Sequence, residues 1–150
     1  MNKKEQFLNR VDTLFKDIQT WLKDTNLTID SEQITISEQS IGEYTCPKLI
    51  IQNQQGKKIA QIIPIGASVI GAFGRIDIHG LYDNEIILYF NQGGPQMTFS
   101  DNGKQITRPY YRGIDKDGWY CLEDKRNKAQ FLDPELFFDL LSEVSDYESN

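Results

Sequence analysis

The spacing of apolar residues changes along this chain, and that change constrains the fold more than any other feature. From Leu27 to Phe99 the period is two, as in strands with one buried face. Over residues 4–24 the period is instead three to four, as in a helix with one buried stripe. That stripe consists of Phe7, Leu8, Val11, Leu14, Phe15, Ile18, Trp21 and Leu22.

The region of period two predicts short strands joined by turns. Glycine-containing segments such as 53–56 and 80–84 mark the turns. Connections this short leave no room for crossover helices, so the sheet is expected to be antiparallel. The predicted strands are 33–38, 43–52, 57–63, 68–79 and 85–90, followed by a hairpin of 118–123 with 128–132 around a turn at 124–127.

A second helix is predicted to start after Asp133, which is suited to the N-cap, with Pro134 in the first helical position. Its buried stripe consists of Phe137, Leu140, Leu141 and Val144, and we expect it to run to about Tyr147. The sequence therefore predicts one α+β domain over residues 1–150. It has an N-terminal helix, an antiparallel sheet of about five to seven short strands, and a C-terminal helix, with both helices on one face of the sheet.

Charge is distributed unevenly. Residues 1–75 carry nine Lys or Arg and eight Asp or Glu, whereas residues 76–150 carry seven and fourteen. On the second helix, acidic residues recur at i, i+4, i+8 and i+11: Glu135, Asp139, Glu143 and Asp146. Like charges at this spacing repel, so the stripe predicts contact with a basic partner protein. The alternatives are an ordinary solvated face, or neutralisation by lysines of the first helix.

Two other groups are candidate sites. Tyr110, Tyr111, Arg112 and Trp119 are residue types that dominate protein interfaces, although packing at a sheet edge would also use them. Arg75, Asp77 and His79 fall at i, i+2 and i+4, so they should share one face of a strand. His beside Asp suggests a general base and Arg an anion holder, whereas a solvated strand face is the ordinary interpretation.

Several classes of function are disfavoured. The acidic balance argues against direct binding of nucleic acid or an anionic membrane. Glycines between 66 and 80 lack the context of a phosphate-binding loop and predict bends in a strand. Cys46 and Cys121 are 75 residues apart and the chain has one histidine, so we expect no metal site and no cofactor. Two buried thiols are the favoured state of the cysteines, with a disulfide as the alternative.

These observations predict a non-catalytic, cytoplasmic protein-interaction domain. An acidic inhibitor, an immunity-like protein or an accessory subunit would each fit, with the C-terminal helix contacting a basic partner. One alternative is a small enzyme or ligand-binding domain centred on Arg75, Asp77 and His79. The other is a structural subunit of a homodimer. The cytoplasmic location is expected because no apolar secretion segment follows the first residues.

Overall fold

The computed structural model describes residues 1–123 and 127–148, and these ranges contain two helices and nine strands. In chain order they are α1 (Lys3–Trp21), β1 (Thr28–Glu38), β2 (Gly42–Gln52), β3 (Lys58–Gly66), β4 (Arg75–Gly80), β5 (Asn84–Phe90), β6 (Gln96–Asp101), β7 (Lys104–Pro109), β8 (Gly118–Glu123), β9 (Lys128–Phe131) and α2 (Pro134–Val144). The predicted α+β class, with a helix at each end of an antiparallel sheet, is confirmed.

Seven of the described strands form one sheet in the order β1-β2-β3-β4-β5-β8-β9, and every neighbouring pair is antiparallel. Strands that are adjacent in this sheet are also consecutive in the chain, except for β5 and β8, which are joined by a long connection. That connection contains β6 and β7, which pair with each other as a separate two-stranded sheet.

Both helices pack on the same face of the sheet. Ile76 and Ile78 of β4 point to this face and are fully buried in a cluster that also contains Phe7 of α1 and Phe137 of α2. The rings of Trp21 and Phe137 lie 5.5 Å apart and join the two helices. Burial of side chains of this size contributes about 1.5–3 kcal/mol each, so this layer is the main source of stability.

A capping residue begins each helix, and both helices end earlier than their patterns predicted. The side chain of Asp133 accepts the N–H of Leu136, as the N-cap prediction required. The end of α2 is fixed by the turn after β4, because the carbonyl of Val144 accepts the N–H of Tyr82 at 2.8 Å. A Cβ on Gly80 would lie 2.1 Å from that carbonyl oxygen, so only glycine permits this approach.

The opposite face of the sheet carries a second, smaller apolar cluster. Phe90, Ile114, Tyr120 and Ala129 are buried there, and Tyr111 packs against them. Ile114 and Tyr111 belong to the segment between β7 and β8, which therefore covers this part of the sheet. The hydroxyl of Tyr120 donates to the carbonyl of Lys116 at 2.7 Å and holds the segment in place.

The structure tests several of the expectations about strands and turns. The strand predicted at 68–79 begins only at Arg75, and residues 67–74 form a loop in which Gly71 has a φ of +80°. The bend predicted at Gly66 is confirmed by a register shift between β3 and β4. Strands β6 and β7 were not predicted. The turn predicted at 124–127 lies outside the described residues except for Asn127.

Candidate interaction surfaces

The exposed side of α2 carries the acidic stripe. Phe137, Leu140, Leu141 and Val144 face the core, and Glu135, Asp139 and Glu143 lie on the opposite, exposed side. Within the described residues, none of these three carboxylates has a Lys, Arg or His nitrogen within 4 Å. The last turn of α2 contains no basic residue. The predicted neutralisation by lysines of α1 is therefore not observed in the described part of the chain.

Asp146 does not belong to this stripe. Ser145 has extended backbone angles and ends the helix, so Asp146 lies beyond it. Its carboxylate pairs with Lys57 Nζ at 3.1 Å, in the turn between β2 and β3. The sequence prediction extended the helix because the apolar period continues to Tyr147, but the contact between Val144 and Tyr82 stops it. The acidic face is defined hereafter as Glu135, Asp139 and Glu143.

The aromatic group predicted as a partner contact is divided between core and surface. Trp119 is 6% exposed and packs against Phe7 and Tyr89, so its side chain belongs to the core. Tyr111 is half-buried over Phe90. Tyr110 is 50% exposed, and it stacks on Tyr111 with ring centroids 5.7 Å apart. The backbone of Arg112 joins the edge of β9, bonding to Asn127 and Ala129.

Residues 96–109, called the arm hereafter, form a hairpin that packs on neither apolar cluster. Every residue of β6 is exposed, and Ile106 is the half-buried exception in β7. One backbone hydrogen bond at the base of the hairpin, from Tyr110 to Pro95, measures 2.8 Å. The strand signal in this segment is weak because polar residues surround each apolar one, although the alternation of Met97 and Phe99 was available to find it.

The predicted cluster on β4 is assembled on the face opposite the helices. Arg75 donates two hydrogen bonds to Asp77, at 2.8 and 2.9 Å, and Asp77 is 7% exposed. These hydrogen bonds raise the pKa of Arg75. His79 Nε2 lies 3.6 Å from Asp77 Oδ2, on a side chain that is 40% exposed. The Nε and Nη2 groups of Arg75 are therefore engaged by Asp77.

A clamp that the sequence did not reveal joins the end of β1 to the loop at 67–74. The carboxylate of Glu38 accepts the hydroxyl of Tyr44 and the N–H groups of Ala67 and Ser68, the last two at 3.1 and 2.7 Å. Burial alone would raise the pKa of Glu38, but these hydrogen bonds outweigh it and lower the pKa. Burial and the carboxylate together raise the pKa of Tyr44. A Cβ at Gly66 would lie 2.8 Å from Glu38 Oε1.

A cleft of about 340 Å³ lies between α1 and the strands β5, β8 and β9. Asp17, Trp119 and Phe131 contribute to its walls. The guanidinium of Arg10 lies 4.2 Å from the centroid of the Tyr89 ring, and Trp119 Nε1 donates to the carbonyl of Arg10 at 3.4 Å. These contacts order Arg10 as a wall of the cleft.

Cys46 and Cys121 are both buried, and they form no disulfide with each other. Burial raises the pKa of Cys46 to about 12, which makes its thiol inert at neutral pH. Among residues 1–123 and 127–148, no group of three or more His, Cys, Asp or Glu side chains has the arrangement that could hold a metal ion. No helix in the same ranges combines the length and hydropathy that crossing a bilayer requires.

Comparison of the chain with models of known protein families, with curated proteins and with solved structures found no significant match. Any function assigned to the protein therefore depends on the surfaces described above.

Proposed function

We propose that the protein is a non-catalytic interaction domain whose acidic face binds a basic surface on a partner protein. The observation that carries this proposal is that Glu135, Asp139 and Glu143 are exposed together on one side of α2 with no cation within 4 Å in the described residues. An inhibitor, an immunity-like protein or an accessory subunit would use such a face in the same way.

The arrangement of the acidic face costs stability in the free protein. Each like-charged pair at i, i+4 costs about 0.2–0.5 kcal/mol, and the stripe contains two such pairs. Glu143 also lies in the last turn, where a negative charge opposes the helix dipole at about 0.3–1 kcal/mol. The positive charges of a basic partner would offset both the repulsion within the stripe and the unfavourable interaction with the helix dipole. Complementary charge would also accelerate the encounter.

A cytoplasmic location is part of the proposal. The two buried cysteines support it because they are not joined in a disulfide, and a reducing compartment preserves thiols. Catalysis is not part of it, since the guanidinium of Arg75 is engaged by Asp77 and His79 lies on an open strand face. A role of Arg75, Asp77 and His79 in ligand binding stays a prediction.

The test is charge reversal on the acidic face. The protein carrying Asp139→Lys and Glu143→Lys is used beside the wild type to capture proteins from an extract of the source cell at low and high salt. We expect the wild type to retain a protein with a basic contact surface, to release it as salt rises, and to lose it on reversal.

The matched control reverses two exposed acidic residues of the β1–β2 hairpin, Glu32→Lys with Glu43→Lys, which changes net charge equally. This control is expected to retain the partner. Capture of the same proteins by the α2 variant and the wild type would disprove the proposal.

A further inference from the structure

The arm has an apolar and basic face that nothing in the described chain covers. Because side chains alternate along paired strands, Met97, Phe99 and Asp101 share one face with Lys104, Ile106 and Arg108. Asp101 lies opposite Lys104 in the register, so the two cations leave this face with one net positive charge. Met97 and Phe99 are 37% and 41% exposed. An isolated two-stranded hairpin is at best marginally stable in water, so a surface that covers these apolar side chains would stabilise the arm.

The charges on this face specify what can cover it. Arg108 lies 5.8 Å from the ring of Phe99, and neither Lys104 nor Arg108 has a carboxylate within 4 Å in the described residues. The two cations lie on either side of Ile106 and are about 13 Å apart along the strand. A matching surface therefore needs two anionic groups at a similar separation, with apolar surface beside them.

The acidic face of α2 meets this requirement. Glu135 and Glu143 are eight residues apart in a helix, which corresponds to about 12 Å. Leu136, which is half-buried, borders the stripe and offers apolar surface. The helix is about 16 Å long and the strands of the arm about 20 Å, so either element can cover the other along its whole length.

We propose that the arm of one copy binds the acidic face of a second copy, and that the contact is reciprocal, giving a symmetric dimer. This inference rests on the proposed function and names the basic partner of the acidic face as the arm of another copy. A two-fold axis repeats the contact, so each dimer contains two arm-to-helix contacts, and a weak individual contact is doubled.

The experiment measures mass by analytical ultracentrifugation at about 100 μM, where micromolar association is populated. The wild type is expected at twice 17.3 kDa, and raising the salt should shift it toward the monomer. Two variants are made: Lys104→Glu with Arg108→Glu in the arm, and Asp139→Lys with Glu143→Lys in α2. Each variant alone places like charges in both contacts and should dimerise at least about tenfold more weakly.

Mixing the two variants is the decisive measurement. One variant has an acidic arm and an acidic helix, and the other has a basic arm and a basic helix. In a mixed dimer both contacts are therefore attractive, so an equimolar mixture should form heterodimers although each component alone is monomeric. The exposed sites leave folding intact, and restoration by mixing would itself demonstrate that both variants are folded.

Two results would overturn the inference. One is a wild-type dimer that survives either reversal, because it would use another surface. The other is a wild type that stays monomeric at this concentration with no association in the mixture. If the capture experiment nevertheless retains a different basic protein, the proposed function stands and only its assignment to a second copy fails. The substitution Phe99→Ser tests how much the apolar side chains of the arm contribute to dimerisation. Ile86→Ser, at an exposed position on β5, is its control.

Discussion

Replacing Glu38 by Gln should destabilise the protein in a way that depends on pH. The carboxylate accepts hydrogen bonds from Tyr44, Ala67 and Ser68, and an amide of the same size keeps only one acceptor oxygen. In the variant, at least one N–H therefore loses its acceptor and the remaining bonds lose their charge assistance. With each hydrogen bond contributing about 0.5–1.5 kcal/mol, we expect a loss of about 1–2 kcal/mol at pH 7.

The pH dependence follows from the lowered pKa of Glu38. A carboxyl with a folded-state pKa below its ordinary value of 4.5 contributes stability that is complete above that value and is lost as pH falls through the folded-state pKa. The difference between wild type and Glu38→Gln should therefore be constant from pH 7 to about 5.5 and should shrink below 4.5, because the wild type loses its advantage.

The assay is urea denaturation followed by tryptophan fluorescence at several pH values. Glu32→Gln serves as the control, since Glu32 is exposed on the same strand and its change should stay within about 0.5 kcal/mol. A loss at Glu38 no larger than that of the control, or a difference that is equal at pH 7 and pH 3.5, would refute the stabilising role assigned to the Glu38 clamp.

Three further predictions concern other contacts. Gly80→Ala should lower the free energy of unfolding by more than about 2 kcal/mol, because its Cβ would meet the carbonyl oxygen of Val144; thermal or urea denaturation measures this. Arg75→Ala should cost about 2–3 kcal/mol because the nearly buried Asp77 loses both hydrogen bonds to the guanidinium and keeps only His79 nearby, and the additional change Asp77→Asn should recover part of the loss. Cys46 should react with a thiol reagent only when the protein opens, so its labelling should be far slower than that of an exposed thiol and should accelerate as urea is added.

The features that the sequence predicted correctly are those with local causes. The N-cap at Asp133 and the stripe beginning at Phe7 each depend on residues a few positions apart, and both are present. The hairpin of β2 and β3 was predicted for the same reason, since Gly56 supplies a positive φ in the turn. The side chains of Arg75 and Asp77 lie on the same face of β4, as the two-residue period of a strand predicted.

The features that the sequence did not predict depend on contacts between residues far apart in the chain, or on the absence of such contacts. Trp119 resembles an interface residue by type, and only its packing on Phe7 places it in the core. The loop at 67–74 has the uncharged composition of a strand, but Glu38, about thirty residues earlier in the chain, binds its first N–H groups instead. The arm lacks a clear apolar pattern because the body of the protein buries neither of its faces.

The separation of the arm from both apolar clusters has a consequence for how this protein can change. Substitutions at Met97, Phe99 or Arg108 remove no residue from either cluster, so we expect them to leave the fold of the body intact. We expect that the sequence between Pro95 and Tyr110 can be replaced, by successive mutations or by design, without loss of the fold of the body.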